Sequence, residues 1–355
     1  MAQMRAWRLE QHGGPDVLVE RSIPLPEPGP GEVRVRLSWV GLNYAEVLSR
    51  KGLYGWAPKL PYTPGMEGAG RIEAVGPGVD RKVGDEVVVG AQFGGYAEAI
   101  VVPQAQALRA PAHLSGAELP AFPVNWMTAW ASLMELGRLR PTDTVLISPA
   151  GGGVGTAAVQ IAARQGCRVI ALAGSDEKLE RVRELGAHET INYRVDGWQT
   201  RLQEVAGQPR TGADGEARSA GVDLALEMVG GDAFKAVKTV LAPFGRIVVA
   251  GYADLDYSLW RPWSWPKAVW GMPRMSLKEM FLGSNGLLST HLGYLIDDPA
   301  VLTQLWADLC GFVETHELRP EVGRVMPLAQ IAEAHRFMES RGSYGKIVLQ
   351  VEQGD

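Results

Sequence analysis

The sequence predicts an α/β protein made of a doubly wound parallel sheet and an antiparallel, partly barrel-like β domain. Its 355 residues exceed the roughly 100–200 residues of a typical domain, and 46% of them are apolar, enough to bury two cores. Up to about Pro120, short alternating stretches are broken by Gly and Pro, as in an antiparallel sheet. From residue 121 onwards, apolar strands alternate with helical stretches, an alternation typical of βαβ units.

The first part of the chain is predicted to form strands wherever apolar and polar residues alternate between turn clusters. These strands span residues 32–40, 70–75, 86–90 and 96–102. In the second part, the apolar run at 144–148 predicts a buried strand, and the Ala-rich stretch at 154–165 predicts a helix. The same criteria predict a strand at 168–173, a helix at 176–185, strands at 222–227 and 245–250, and a terminal strand at 345–349.

Two stretches interrupt this alternation. Residues 208–221 contain almost no apolar side chain and are rich in turn-forming types, so a solvated surface loop is expected there. Residues 259–280 hold four tryptophans among prolines and basic residues. One interpretation is a hydrophobic cover over an interface or cleft. The other is a wedge that touches a membrane surface, because Trp with Arg and Lys suits the bilayer interface.

Charge and cysteine content exclude several classes of protein. A formal net charge of −5 gives no overall attraction to nucleic acid, so no nucleic-acid partner is expected. The only cysteines are Cys167 and Cys310 and the six histidines are scattered, so neither a disulfide framework nor a cysteine-rich zinc lobe is expected. We find no secretory leader pattern and no run of about 18 apolar residues. A cytoplasmic protein without an integral membrane segment is therefore expected.

A glycine-rich turn follows the first predicted parallel strand and leads straight into a helix. Ala150, Gly152 and Gly155 occupy the three small-residue positions of the pattern G-x-G-x-x-G, with Gly153 and Val154 between them. Small residues there allow a tight turn, close approach of backbone N–H groups to a diphosphate, and close packing of helix on strand. The succession of strand, turn and helix predicts a Rossmann domain that binds a dinucleotide.

The preference between NAD and NADP depends on the tip of the next strand, where an acidic residue would bind the ribose 2′-hydroxyl of NAD. Here that strand ends in Gly174 and Ser175 without a carboxylate, and Lys178 follows at helical spacing. Ser175 and Lys178 can donate to a 2′-phosphate, which favours NADPH. Asp176 lies close enough in the sequence to keep NAD open as the alternative.

Several further motifs occur in the order that one family shows. They are Gly41-Leu42-Asn43-Tyr44, residues 61–70 (PYTPGMEGAG), 83–87 (VGDEV), 94–98 (GGYAE) and 342–346 (GSYGK). With them, the chain resembles the zinc-free quinone oxidoreductase branch of the medium-chain dehydrogenase/reductase superfamily, and within it the vesicle amine transport protein VAT-1-like subgroup. The resemblance implies a GroES-like catalytic domain, a partly open β-barrel, at residues 1–120 and 292–355, and a Rossmann domain at 121–291. It also implies a homodimer.

The same resemblance assigns site residues. Asn43 and Met66 stand where zinc-dependent relatives carry metal ligands, which implies an enzyme without zinc. Three side chains, Asn43, Tyr44 and Tyr54, are the candidate catalytic residues that donate hydrogen bonds to the substrate. Besides the glycine turn, Ser175 and Lys178, the residues expected to contact the cofactor are Thr128, Tyr193, Val229, Gly251 and Tyr252.

These observations predict metal-independent hydride transfer from NADPH to a small molecule that is already electrophilic, either a quinone or another α,β-unsaturated carbonyl compound. Two alternatives stay open. One is a 2-enoyl-thioester reductase, because enzymes of that kind and many quinone reductases both carry tyrosine at the place of Tyr54. The other is a non-enzymatic NADPH-binding protein with peripheral membrane contact, which the VAT-1-like resemblance and the tryptophan-rich segment allow.

Overall fold

The computed structural model describes residues 2–211, 217–251 and 272–352 of the chain. Tyr252 and most of the tryptophan-rich segment at 259–280 therefore lie outside the described residues. Contacts within the chain divide it into two compact units, Met1–Met127 with Leu292–Asp355, and Thr128–His291. The boundary between Met127 and Thr128 lies a few residues beyond the boundary near residue 120 that composition suggested.

The strands and helices are numbered along the chain. The strands are β1 (Gln3–Leu9), β2 (Leu18–Pro24), β3 (Glu32–Leu42), β4 (Glu67–Val75), β5 (Glu86–Gly90), β6 (Ala99–Pro103), β7 (Ala107–Leu108), β8 (Thr144–Ser148), β9 (Arg168–Ala173), β10 (Glu189–Asn192), β11 (Arg210–Thr211), β12 (Ala217–Arg218), β13 (Val222–Glu227), β14 (Leu241–Val249), β15 (Gly286–Ser289), β16 (Val322–Pro327) and β17 (Lys346–Gln350). The α-helices are α1 (Tyr44–Arg50), α2 (Pro123–Trp130), α3 (Gly153–Arg164), α4 (Asp176–Glu184), α5 (Trp198–Ala206), α6 (Gly231–Thr239), α7 (Leu277–Gly283), α8 (Pro299–Thr315) and α9 (Ile331–Glu339).

The long strand β3 is the centre of the first unit. One of its edges pairs with β4, while the other pairs with β6 over its first residues and with β17 over its last ones. The sheet runs in the order β16-β17-β3-β4-β5-β7, and isolated bridges link β1 to Tyr62 and Ala97. A buried apolar cluster that includes Val35, Leu37 and Ile347 forms the core. This arrangement confirms the predicted partly open barrel.

The second unit contains a six-stranded parallel sheet in the order β10-β9-β8-β13-β14-β15. Counted along the chain within this sheet, the order is 3-2-1-4-5-6, that of the Rossmann fold. Every residue of β8 is buried, as expected for a parallel strand covered on both faces. The predicted doubly wound sheet is confirmed. Because the order reverses between β8 and β13, ligand binding is expected at the carboxyl ends of these two strands.

β4 begins three residues earlier than the sequence predicts. Two glycines interrupt the apolar pattern there, yet Gly68 and Gly70 pair with Val40 and Leu37 of β3. A Cβ placed on Gly70 would lie only 1.8 Å from the carbonyl oxygen of Arg36, so only glycine permits this approach of the two strands. The composition of β4 reflects that close approach rather than a turn.

The predicted loop at residues 208–221 requires a correction. β11 and β12 pair antiparallel within it, with Arg210 opposite Arg218, while residues 212–216 lie outside the described residues. Polar composition favours exposure, but it does not exclude a short hairpin in which exposed backbone groups bond to each other. Among the helices that the structure describes, none combines the length and the apolar character needed to cross a membrane.

Candidate functional site

Asn43 and Tyr44 lie at the junction where β3 ends and α1 begins. Asn43 precedes the helix in an extended conformation, and Glu46 occupies the third helical position. The Glu46 carboxylate accepts hydrogen bonds from the backbone N–H of Asn43 at 2.5 Å and from that of Met66 at 2.7 Å. A carboxylate at this position satisfies an amide group that the first turn leaves unbonded. It thereby fixes the backbone that carries Asn43.

Four side chains of the first unit form what we call the charge cluster: Asn43, Glu46, Glu67 and Lys346. Each is at most 8% exposed. Lys346 Nζ donates to Asn43 Oδ1 at 2.6 Å and also to Glu67 Oε1. Asn43 Nδ2 donates to the same Glu67 oxygen at 2.7 Å, and the other Glu67 oxygen accepts from the backbone N–H of Val124 at 2.8 Å. Each buried charge therefore has hydrogen-bonded partners, as buried ions require.

The two carboxylates of the charge cluster differ in their surroundings. Burial raises the pKa of Glu46 to about 7, and the neighbouring Glu67 carboxylate acts in the same direction. The backbone N–H groups of Asn43 and Met66 and the Lys346 ammonium oppose this shift. With this pKa, the Glu46 carboxyl gains or loses its proton near neutral pH, so the net charge of the charge cluster changes near neutral pH.

Tyr54 lies after α1, beside other aromatic rings. Its ring packs edge-to-face on Trp56 with centroids 6.5 Å apart, and Trp56 lies 6.1 Å from Tyr294. Burial raises the pKa of Tyr54 to about 12, and the charge of Glu46 contributes to the shift. The phenol therefore keeps its proton at neutral pH and can donate a hydrogen bond. Tyr44 is half-buried at the first position of α1.

In the second unit, the glycine turn joins β8 to α3. Gly152 precedes the helix without any side-chain cap, and a Cβ added to it would meet nothing within 4 Å. Gly155 has the opposite environment, because its Cβ would lie 2.2 Å from the carbonyl oxygen of Pro149. One glycine thus leaves the helix terminus open, and the other lets α3 pack closely against the turn.

The remaining residues of this turn complete a terminus suited to an anion. Ala150 is buried, and its N–H donates to the carbonyl oxygen of Leu172 at 2.7 Å, which ties the turn to β9. Gly153 and Val154 form the first turn of α3. The N–H groups of a first turn have no partner within the helix and carry its positive dipole end, so they can bind a diphosphate.

Two cationic side chains, Lys178 of α4 and Arg194 after β10, lie beside the turns near the end of β9. The methylene groups of Lys178 lie against the glycine turn, since a Cβ on Gly151 would be 3.2 Å from Lys178 Cδ. A Cβ on Gly174 would lie 3.0 Å from both Arg194 Nε and the hydroxyl oxygen of Tyr193. Burial lowers the pKa of Lys178, and the charge of Arg194 lowers it further. Because the charge of one cation disfavours that of the other, an anion beside them is favoured.

Arg194 was not identified from the sequence. The signal that could have revealed it is its position directly after Tyr193, past the end of β10, the strand that pairs with β9. Ser175, in contrast, lies as predicted at the start of α4, where its hydroxyl accepts from the Lys178 N–H at 3.4 Å. The structure therefore brings Ser175, Lys178 and Tyr193 to one end of the sheet and adds Arg194 to them.

Asp176, the residue that kept NAD open as an alternative, is already hydrogen-bonded. Its Oδ1 accepts from Asn192 Nδ2 at 2.9 Å, and Asn192 Oδ1 in turn accepts from the backbone N–H of Arg194 at 3.0 Å. These bonds orient the chain that carries Arg194. They engage Oδ1 of the Asp176 carboxylate.

The ends of β13 and β14 bring two more predicted residues together. A Cβ on Gly251 would lie 3.8 Å from a carbonyl oxygen of the loop after β13. In that loop, Val229 N–H donates at 2.9 Å to the fully buried carboxylate of Glu227, a fixing role that sequence reasoning missed. Thr128 is half-buried in α2. Tyr252 lies outside the described residues.

Metal-ligand types are not gathered anywhere in the described chain. Within residues 2–211, 217–251 and 272–352, no three His, Cys, Asp or Glu side chains form a group that could hold a metal ion. At Asn43, the cation in contact with the side chain is the Lys346 ammonium. Met66 is buried, and its backbone rather than its side chain takes part in the hydrogen bonds of the charge cluster.

Comparison with known proteins gives matches along nearly the whole chain. The profile of the family "Alcohol dehydrogenase GroES-like domain" matches residues 29–112, and that of "Zinc-binding dehydrogenase" matches residues 185–349. The "Synaptic vesicle membrane protein VAT-1 homolog" of Rattus norvegicus is 32% identical over 98% of this chain and 84% of its own length. The chain belongs to the medium-chain dehydrogenase/reductase superfamily. A "Quinone oxidoreductase" of Pseudomonas aeruginosa, another of its relatives, is 33% identical over 95% of this chain and 97% of its own length.

Solved structures of this superfamily have the same fold. The native structure of mycobacterial Rv1454c complexed with NADPH superimposes with a TM-score of 0.84 at 27% identity, covering 98% of this chain and 99% of that one. A structure described as an NAD-dependent alcohol dehydrogenase gives a TM-score of 0.81 at 35% identity, covering 98% of this chain and 100% of that one. The chain is thus similar to superfamily members described with either nicotinamide cofactor, and its own residues must decide between them.

Proposed function

We propose that this oxidoreductase is a metal-independent, NADPH-dependent reductase that transfers hydride to a quinone or another α,β-unsaturated carbonyl compound. The observation that carries the proposal is the cation pair at the end of β9, where Lys178 and Arg194 lie beside Gly151 and Gly174 of the cofactor-binding turns. A 2′-phosphate neutralises such a pair, whereas a 2′-hydroxyl does not. One oxygen of the nearby Asp176 carboxylate already accepts a hydrogen bond from Asn192.

The second unit offers a fitting set of residues for each part of this cofactor. The N–H groups of the first turn of α3 would bind the diphosphate, with Gly152 leaving room for it. Ser175, Lys178, Tyr193 and Arg194 would hold the 2′-phosphate. The residues assigned to the nicotinamide half are Thr128, Val229, Gly251 and Tyr252. When bound, the reduced cofactor supplies the hydride. We assign this role to the domain predicted at 121–291.

Acceptor binding is assigned to the GroES-like domain predicted at 1–120 and 292–355. In a reduction of this kind, negative charge grows on the carbonyl oxygen of the acceptor, and a protein lowers the barrier by directing hydrogen-bond donors at that atom. Asn43 and Tyr54 are the donors we propose, with Tyr44 next to them in the chain. The high pKa of Tyr54 keeps its phenol protonated and able to donate.

The charge cluster supports metal independence. A zinc-dependent enzyme polarises its substrate with a cation held by Cys, His or carboxylate ligands. Here Asn43 stands at one of those positions, and its Oδ1 is bonded to a buried ammonium, Lys346. A substrate reduced without a metal must be electrophilic by itself, as quinones and enones are.

A turnover assay tests the proposal. NADPH and NADH would each be offered with 1,2- and 1,4-quinones, a simple enone and an enoyl-CoA, in buffer with a zinc chelator. We expect oxidation of NADPH by quinones and enones and slower use of NADH. Turnover of enoyl-CoA alone would favour the 2-enoyl-thioester reductase. No turnover of any acceptor, with NADPH still bound, would contradict an enzymatic function.

One observation favours the non-enzymatic alternative as a second candidate. On α7, Leu277, Phe281 and Leu282 are 80%, 81% and 74% exposed, and a relative of this chain is called a vesicle membrane protein. Exposed apolar side chains next to basic ones suit peripheral contact with lipid. Flotation with anionic liposomes tests it, and substitution of Phe281 and Leu282 by serine should abolish any binding.

The outer edge of the six-stranded sheet bears on the oligomeric state of the protein. Among the described strands, β15 ends the six-stranded sheet and pairs only with β14, so its outer edge suits a second copy of the chain. We propose a homodimer, to be tested by light scattering against a chain mass of 38.4 kDa. We also propose a cytoplasmic location and no nucleic-acid partner, which fractionation and an electrophoretic shift assay can check.

A further inference from the structure

The Asn43 side-chain amide lies between two opposite charges. Its Oδ1 accepts from the Lys346 ammonium at 2.6 Å, and its Nδ2 donates to the Glu67 carboxylate at 2.7 Å. An ammonium offers no acceptor, and an ionised carboxylate offers no donor. Turning the amide over would therefore break both bonds and place like partial charges together. The two charges dictate one orientation of this amide.

This juxtaposition is produced by strand pairing. Asn43 directly follows β3, and Lys346 is the first residue of β17. The two strands pair antiparallel with Leu42 opposite Ile347, so the residues just beyond them, Asn43 and Lys346, are neighbours although 303 positions separate them. Glu67 begins β4, on the other edge of β3. The three residues therefore meet at one end of a rigid sheet.

The orientation has a chemical consequence. Nδ2 carries two hydrogens, and Glu67 takes one of them. We propose that Lys346 is a positioning residue which, together with Glu67, holds the Asn43 amide so that its second N–H, and not its carbonyl oxygen, faces the carbonyl oxygen of the acceptor. This inference rests on the proposed function. Lys346 itself is bonded to Asn43 and Glu67 and acts through Asn43.

The alternative role for Lys346 is to neutralise Glu67 and stabilise the fold. Both roles predict that loss of the ammonium is costly, because it would leave a buried carboxylate without its countercharge. They differ in what happens to kcat. A reversed or mobile amide would direct a lone pair at the oxygen that gains negative charge, which raises the barrier of the chemical step and leaves cofactor binding unchanged.

The experiment removes both charges at once, so that neither stays buried and unpaired. The variant is Lys346→Met with Glu67→Gln, alone and combined with Asn43→Ala. The matched control is Arg50→Met with Glu339→Gln, because Arg50 is also about 1% exposed and forms a 2.7 Å ion pair in the same unit. Melting temperature and NADPH affinity would be measured for every variant.

A spectroscopic readout reports the amide itself. The chain contains four asparagines, so selective ¹⁵N-asparagine labelling gives four side-chain amide groups, and Asn43→Ala identifies the one of interest. In the wild type we expect one Asn43 amide proton to be shifted downfield by the carboxylate and to exchange slowly with water. In Lys346→Met/Glu67→Gln this signature should be lost, and in the Arg50/Glu339 control it should persist.

The kinetic readout follows the enone reaction. We expect kcat to fall about 100-fold in Lys346→Met/Glu67→Gln, the size of losing one oxyanion donor. NADPH affinity should stay near that of the wild type. Adding Asn43→Ala should cause little further loss, because residues that act through one another have non-additive effects. The Arg50/Glu339 control should keep the wild-type kcat.

Several results would overturn the inference. They are a wild-type kcat in Lys346→Met/Glu67→Gln, a further multiplicative loss on adding Asn43→Ala, and an amide signature that survives removal of both charges. If Lys346→Met/Glu67→Gln fails to fold, the test is Lys346→Arg, which keeps the charge. It should retain the downfield, slowly exchanging Asn43 amide proton, and loss of that proton signal would contradict the inference. A wild type that shows the signature and reduces no acceptor contradicts the proposed function instead.

Discussion

Replacing Lys178 with methionine should weaken NADPH binding and leave NADH binding nearly unchanged. Methionine keeps the Cβ and Cγ methylene groups beside Gly151 and places its sulfur where Lys178 Cδ lies, so the change removes the charge and keeps most of the packing. A charge-assisted hydrogen bond contributes about 1.5–3 kcal/mol, which corresponds to about a 10- to 150-fold rise in the Kd for NADPH. NADH lacks the 2′-phosphate and therefore has no such bond to lose.

Arg194→Met provides a second test of the same subsite. Arg194 is exposed, so water and salt screen its contribution, and we expect at most about a fivefold loss for NADPH. The assay is fluorescence titration of the reduced nicotinamide at several salt concentrations. Lys235→Met, which removes an exposed cation paired with Asp232 on α6, is the control. Equal losses for NADPH and NADH in the Lys178 variant would refute the assignment of the 2′-phosphate to this cation pair.

Three further predictions concern the first unit. Purified protein should contain substoichiometric zinc by elemental analysis and keep its activity in chelator, and one zinc per chain whose removal abolishes activity would contradict the role given to Asn43 and Lys346. Tyr54→Phe should lower kcat less than about tenfold with a quinone but about 100-fold or more with an enone, where the enolate needs more charge stabilisation. A wild-type kcat with both acceptors would contradict a catalytic role for Tyr54. Folding raises the pKa of Glu46 from 4.5 to about 7, so between these pH values the folded state holds a proton that the unfolded state has lost. The free energy of unfolding should therefore fall as pH rises from about 4.5 to 7, by about 3 kcal/mol in total. Denaturation of Glu46→Gln across that range should show a flatter profile, and an unchanged profile would contradict the shift.

Local patterns predicted the fold well where a single physical demand sets the residue type. β8 at Thr144–Ser148 matches its predicted range, because a strand buried on both faces has an apolar interior, here residues 145–147. β4 was predicted too short, because its glycines serve a close approach to Arg36 that lies outside any local window. The hairpin of β11 and β12 was missed, because two-residue strands leave no periodicity to detect.

The candidate site also contains residues that the sequence predicted and residues that it did not. The glycine turn and Lys178 are recognisable because their spacing along one βαβ unit is fixed by the cofactor they would hold. The charge cluster was not predicted, because Lys346 reaches Asn43 through strand pairing across 303 positions of sequence. Arg194 was missed for a related reason, since it comes next to Gly174 only when the strands β9 and β10 lie side by side.

The rate of NADPH oxidation by a 1,4-quinone and by an enone, measured with the purified protein in the presence of a zinc chelator, tests the proposed activity directly. We expect both acceptors to consume NADPH, NADH to be used less well, and the chelator to have no effect. Failure to oxidise NADPH with either acceptor, or loss of activity on chelation that zinc restores, would contradict it.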